Sequence, residues 1–185
     1  MSNYGVFSGN PKTEWIVDPN GADRDMSLIE DFWYLDPNGR KWPAPKGSII
    51  NGASIPAPLW STVGSPYTGD YRRASIVHDV ACKDQTVNRK EADVMFYNAC
   101  LAGGCSLAQA KLLYTGVRIG AWSITSLAPE TFAKEKMLFR VPFRPLSDAQ
   151  FIQSKFQEIT GELKLLSNEA SITELDAVIN SHIRF

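Results

Sequence analysis

The sequence predicts an α+β fold, with a small N-terminal antiparallel sheet or hairpin packed on a helical core of about three helices, followed by a C-terminal helical extension. Three observations predict it. The first sixty residues alternate β-forming runs with Pro-Asn-Gly turns, the stretch after them carries apolar residues at helical spacing, and two amphipathic segments close the chain. The texture changes near residue 125. The expected division is therefore a core domain over residues 1–125 and an extension over residues 126–185.

Glu14 to Val17 is a short run that ends in the turn signal Asp18-Pro19-Asn20-Gly21. Met26 to Asp36 is richer in β-formers and runs into Asp36-Pro37-Asn38-Gly39. Proline pre-sets φ in such a turn and glycine accepts positive φ, so a hairpin is expected, returning along Lys41 to Ile50. Pro43 and Pro45 remove ladder donors, which makes the return strand an edge or an irregular one.

Residues 70–84 then place Tyr71, Ala74, Val77 or His78, and Ala81 at helical spacing. Asn88, with Glu91 three residues on, reads as the capping box of a second helix that runs to about Leu101 and stops at Gly103-Gly104. Ser106 caps a third, through Leu112, Leu113 and Val117 to about Trp122. Beyond Pro129, residues 137–145 read as extended and proline-broken. Residues 147–164 and 171–182 read as amphipathic helices, the second opened by Ser171 with Glu174.

Composition narrows the function classes. With 44% hydrophobic residues among 185, the chain can bury an ordinary core without disulfides or metals. Nineteen basic residues against twenty acidic ones argue against a broad nucleic-acid footprint. No apolar run reaches the roughly twenty residues a membrane span needs. The N-terminus, MSNYGVFSGNPKTEW, has neither a basic nor an apolar signal region, so secretion by a signal peptide is not expected. Three cysteines, an odd number, point to free thiols in a reducing compartment.

The candidate chemistry lies in the predicted hairpin of helices 70–84 and 88–101. Joined near Thr86, they should pack antiparallel, so residues whose numbers sum to about 172 face each other. Asp79 and Asp93 meet that condition, with His78 adjoining. A His with two carboxylates can hold a metal, or use one carboxylate to orient the His as a general base. Pairing of Asp79 and Asp93 with Arg72, Arg73 or Arg89 is the structural alternative.

The same register places Cys82 and Cys100 about ten residues out of step. At about 1.5 Å per residue that is roughly 15 Å, against the roughly 7 Å a disulfide allows. Free thiols are expected there, and Cys105 has no evident partner.

Asn51-Gly52-Ala53-Ser54, in a proline-rich corner, form a second feature. Such a loop can offer carbonyls to a cation or amides to an oxyanion, and Ser54 is a candidate nucleophile if a base lies within reach. Leu59 and Trp60 are expected to plug the core.

The stretches GSIINGASIPAPLW, YRRASIVHD, RKEADVMFYNAC and LLYTGVRIGAW, in that order, resemble the phage and prophage family catalogued as the domain of unknown function numbered 1353. The likeness covers about residues 26–123 and carries no established activity. It implies a bacteriophage or prophage origin, with work in the host cytoplasm or in the virion. In that family an Asp commonly stands where this chain has Asn51, so the loop here lacks that charge.

A weaker similarity, to the secreted calcium-dependent phospholipases, rests on the order of a Gly-Ser loop, a helix with His-Asp then Cys, and an antiparallel helix with Asp. It implies His78 as base, Asp79 as ligand of a divalent cation such as calcium, Asp93 as the orienting group and Asn51 and Gly52 as loop donors. The secreted enzymes' disulfide framework and signal sequence are missing.

The expected function is a phage-encoded hydrolase of an ester or phosphodiester in lipid, cell-wall material or a nucleotide signal. The rivals are a non-enzymatic virion or tail component and a module that sequesters a small molecule. For the virion reading, the partners would be phage structural proteins or a second copy, docked through the C-terminal helices at Phe151, Ile152 and Phe156.

Overall fold

Asp36 builds the hairpin that the sequence announces. Its Oδ1 accepts the backbone N–H groups of Asn38 and Arg40, each at 2.9 Å, and its Oδ2 accepts the Trp42 indole N–H at 3.0 Å. Gly39 takes the positive φ of 81° that closes the turn. The structure, a computed structural model, describes residues 3–17, 25–64, 68–126, 148–167 and 169–184. The expected turn at Asp18 to Gly21 and the stretch 137–145 lie outside the described residues.

The strands are β1 (Val6–Phe7), β2 (Thr13–Trp15), β3 (Met26–Leu28), β4 (Phe32–Leu35), β5 (Lys41–Ala44) and β6 (Ile49–Ile50). They form two three-stranded antiparallel sheets, ordered β1-β4-β5 and β2-β3-β6. The single strand expected over 26–36 is therefore two, and so is its return. The cause is local. Pro45 has no N–H to donate, and the Lys46 N–H turns instead to the Asp31 carboxylate at 2.8 Å, so the ladder cannot continue. Pro43 pairs opposite Trp33 on β5, an edge strand, where a missing donor breaks no ladder bond.

A 3-10 turn (Ala57–Leu59) leads into the helices α1 (Trp60–Val63), α2 (Arg72–Lys83), α3 (Arg89–Gly103), α4 (Leu107–Ser126), α5 (Asp148–Leu163) and α6 (Ile172–His182). The Asn88 side chain caps α3 by accepting from Lys90 N–H and Glu91 N–H. Glu91 does not close the expected box. Its carboxylate pairs with Arg40 at 2.7 Å and ties α3 to the hairpin. Ser106 Oγ accepts from Gln109 N–H at 3.2 Å at the start of α4, and Ser171 with Glu174 forms a complete capping box on α6.

Helix α2 lies at the centre, packed against α3 on one side and against β5 and the ends of β4 and β6 on the other. Helix α4 packs on α3 and carries the corner that precedes α1. Gly120 permits that approach, since a Cβ there would stand 2.0 Å from the Ser54 carbonyl oxygen. Leu59 is buried, and the half-buried Trp60 fixes the same corner through its indole N–H to the Ile55 carbonyl at 3.0 Å.

The C-terminal helices share the core. Ile152, Phe156, Ile159, Leu163, Leu175 and Ile179 are buried in the same apolar cluster as α2, α3 and α4. Tyr114 donates to Asp176 at 2.7 Å, and Lys111 donates to the Ser167 carbonyl at 2.7 Å. Of the three apolar residues read as partner contacts, Ile152 and Phe156 are thus covered from within the chain, and Phe151 rests against the Trp122 ring at 5.8 Å. Among the described residues no helix is long and apolar enough to cross a membrane.

Candidate functional site

His78 and Asp79 are neighbours in sequence, but α2 turns them to different sides. One residue rotates a helix by about 100°, so only one of the two can address α3. It is His78. Its Nε2–H donates to Asp93 Oδ1 at 2.8 Å, and the hairpin register is thereby set one residue away from the Asp79–Asp93 facing expected.

The His78–Asp93 pair is fully buried, at 0% exposure for both side chains. Asp93 is held by two further cations: Arg89 Nε donates to Oδ1 and Arg118 Nη1 to Oδ2, each at 3.2 Å. Burial alone would lower the His78 pKa, but the hydrogen bond to Asp93, the contact with Cys82 and the charges of both raise it to about 9. Burial pushes the Asp93 carboxyl up, yet His78, Arg89 and Arg118 together hold it below its ordinary value. The pair is an imidazolium and a carboxylate at neutral pH. His78 also packs on the Phe96 ring at 4.8 Å.

Cys82, one turn after His78 on α2, completes the cluster. Its Sγ lies 3.5 Å from Nε2 and 3.7 Å from Nδ1 of His78. Asp93 takes Nε2, which leaves Nδ1 to the thiol. The three residues offer ligand atoms within 4.8 Å of one another, a spacing that can surround a metal ion. Two guanidinium groups already on Asp93 oppose a further cation there.

Asp79 faces the loop after β6. Its Oδ2 accepts the Asn51 backbone N–H at 2.9 Å and the Lys83 ammonium at 3.0 Å. Lys83 also donates to the Ile49 carbonyl at 2.7 Å. The ammonium thus sits between Asp79, the residue that the phospholipase likeness assigns to calcium, and a carbonyl of β6 that adjoins the loop of Asn51 and Gly52. Gly52 takes φ of 101° in this loop. Ser54 lies against α4 and is not a hydrogen-bond partner of His78 or Asp93. The structure therefore brings His78 and Asp93 together, and places Asp79 with Asn51 on the opposite side of α2.

A cleft of about 790 Å³ opens on the His78 side, between α3, α4 and the C-terminal helix α6. Four basic residues line it, Arg89, Lys90, Arg118 and Arg184, together with Cys82 and Asn180, and among the described residues no acidic one does. Asp93 behind Arg89 and Arg118, and Asp176 on Lys90 at 2.9 Å, offset part of this charge. Arg118 is 5% exposed, so its guanidinium acts where water screens little. One Arg89 nitrogen, Nη2, is buried without a hydrogen-bond partner. A guanidinium with a donor to spare in such a place can pair with an anion.

Sequence reading missed Arg118, Arg184 and the part Cys82 plays. Two signals were available. Cys82 stands four residues after His78 and so shares its helical face, and Arg118 interrupts the apolar run Val117 to Trp122, where a charge needs a buried partner. Arg184 gave none, because α6 reaches the cleft only through tertiary packing. Cys82, Cys100 and Cys105 are free thiols, as the register argument expects. Cys105 does have a neighbour, since its N–H bonds the Cys100 carbonyl at 3.0 Å.

Fold and site together define an α+β protein with a basic cleft backed by a buried His-Asp pair. Residues 26–117 match the family described as a protein of unknown function, DUF1353, and the chain belongs to it. Two similar proteins come from Sinorhizobium fredii (strain NBRC 101917 / NGR234). Uncharacterized protein y4jT is 32% identical over 143 residues, covering 77% of this chain and 40% of that protein. Uncharacterized protein y4iH is 34% identical over 164 residues, covering 88% of this chain and 64% of that protein. The chain spans less than two thirds of the length of either relative. No solved structure matches it.

Proposed function

We propose that this chain binds a small anionic ester or phosphodiester in the basic cleft and hydrolyses it there. One observation carries the reading: among the described residues, four basic side chains and no acidic one line a cleft, and two of them, Arg89 and Arg118, with Cys82, touch the buried His78–Asp93 pair behind it. Arg118 and Arg89 would hold the anion, with Lys90 and Arg184 at the rim drawing it in. Asp93 keeps both guanidinium groups in place and orients His78. The charged state of His78 makes it a proton donor to a leaving group rather than a base that takes a proton from water.

The test is thermal shift and calorimetry with pyrophosphate and bis(4-nitrophenyl) phosphate. Wild type should gain stability with each, and the double variant Lys90→Gln with Arg184→Gln should lose most of that gain. Absence of any response in wild type overturns the reading.

A second reading, a binding module that sequesters the anion, is favoured by the complete burial of His78 and by the three cations already on Asp93. It differs in one outcome: binding without release of nitrophenolate. A phage or prophage origin, which the motif resemblance implies, would place the chain in a host cytoplasm or a virion, and copurification with particles would move the reading to a virion component.

A further inference from the structure

We propose that Cys82 is the nucleophile of the cleft and that the bond cleaved is a carboxylic ester on a molecule carrying a separate anionic group. This rests on the cleft being an anion site. Three features of geometry point to it. Cys82 lines the cleft, whereas Cys100 and Cys105 are buried and do not line it. Its Sγ lies beside the His78 ring, 3.5 Å from Nε2 and 3.7 Å from Nδ1, and with Nε2 bonded to Asp93 the nitrogen left for the thiol is Nδ1. Arg89 and Arg118 border the same space, where an oxyanion formed beside Sγ would meet guanidinium donors. A thiol, a His and an orienting Asp in this order are the parts of an acyl-transfer site.

The step balances without an added reactant other than water. In the reactive form the proton shared by Sγ and Nδ1 sits on the His78 ring. The thiolate attacks the carbonyl carbon, forming an S–C bond and a tetrahedral oxyanion that faces Arg118. Collapse breaks the C–O bond, and His78 gives its proton to the departing alkoxide. Water then returns a proton to His78 and adds to the thioester as hydroxide. The C–S bond breaks, the carboxylic acid leaves, and the thiolate and the protonated ring are restored.

The experiment compares three probes on the full chain. Iodoacetate and iodoacetamide are each applied briefly, and the modified cysteines are mapped by mass spectrometry. The anionic reagent should label Cys82 roughly tenfold faster than it labels Cys100 or Cys105, and this preference should vanish in denaturant. Arg184→Gln should slow iodoacetate more than iodoacetamide. The third probe, 4-nitrophenyl succinate, should leave a succinyl group on Cys82 and none on Cys82→Ser.

Pyrophosphate thermal shift is run on the same samples and separates the two proposals. A shift without selective labelling or acylation of Cys82 overturns the nucleophile and leaves the anion cleft standing. No shift in wild type overturns the cleft and the nucleophile with it. A shift in both wild type and Cys82→Ser, with the adduct in wild type alone, supports both.

Discussion

The two sides of α2 solve the same problem, a buried carboxylate, in opposite ways. On the α3 side Asp93 receives His78, Arg89 and Arg118, all donated by helices, and its side chain is 0% exposed. On the loop side Asp79 receives one backbone N–H and one ammonium, from a Lys83 whose side chain is 49% exposed. The first arrangement fixes charge in a low-dielectric interior and places spare Arg89 donor capacity beside a cleft. The second fastens a loop to a helix. Chemistry is therefore expected where several cations crowd one carboxylate, since only there does positive charge remain to meet a ligand.

That contrast can be broken most forcefully at Asp93. Asp93→Ala leaves His78 and Arg118 buried without their counter-charge and should cost about 3–5 kcal/mol in chemical denaturation. A loss below about 1 kcal/mol would show that the network contributes little and that the cleft is preorganised by packing alone.

The next effect is read against pH. His78 has its folded pKa raised from 6.5 to about 9, so its contribution is fully present below about pH 6.5 and is lost as pH rises through about 9. Asp93, whose folded pKa is lowered, adds stability present above its ordinary carboxylate range and lost on acidification through the lowered value. Wild type should thus lose Tm steadily between pH 6.5 and 9, whereas His78→Gln, less stable throughout, should show a much flatter profile there. Equal slopes would remove His78 from the charged network.

On the loop side the change should be smaller. Asp79→Asn keeps an acceptor for the Asn51 N–H but gives up the charge, at a cost of about 1–2 kcal/mol. Protection of the Asn51 amide against hydrogen exchange should fall while that of α3 stays. Loss of α3 protection as large as in Asp93→Ala would merge the two regions into one.

The smallest effect concerns a divalent cation at Asp79. The Lys83 ammonium already fills the space between Asp79 and the Ile49 carbonyl, so calcium should leave the wild-type Tm unchanged. A calcium-dependent rise that disappears in Asp79→Asn would restore Asp79 as a metal ligand.

Much of the fold was legible because it obeys local rules. Proline and glycine punctuated the hairpin at Asp36 to Gly39, Asn88 and Ser171 announced their helices, and the 3.6-residue period of α2 to α4 gave the helical core. The split of the sheet in two was not legible, because Asp31 reaching Lys46 N–H is a contact across fifteen residues. At the site, helical arithmetic put Asp79 opposite Asp93 with His78 adjoining, and it was one residue off, since a shift of one residue in register changes which side chain faces α3. The structure chose His78.

The sequence by itself determined that an α+β chain would carry a His-Asp pair and a nearby Asp on facing helices, with free thiols beside them, because spacing along a helix fixes which residues share a face. Only the tertiary structure decided that Arg118 and Arg184, from segments 40 and 106 residues beyond His78 in the numbering, would join Arg89 and Cys82 around one cleft. Helix packing, through residues such as Tyr114 and Asp176, sets those distances. No local pattern encodes them, because the energy that holds α4 and α6 against α3 comes from buried area shared among elements far apart in the chain.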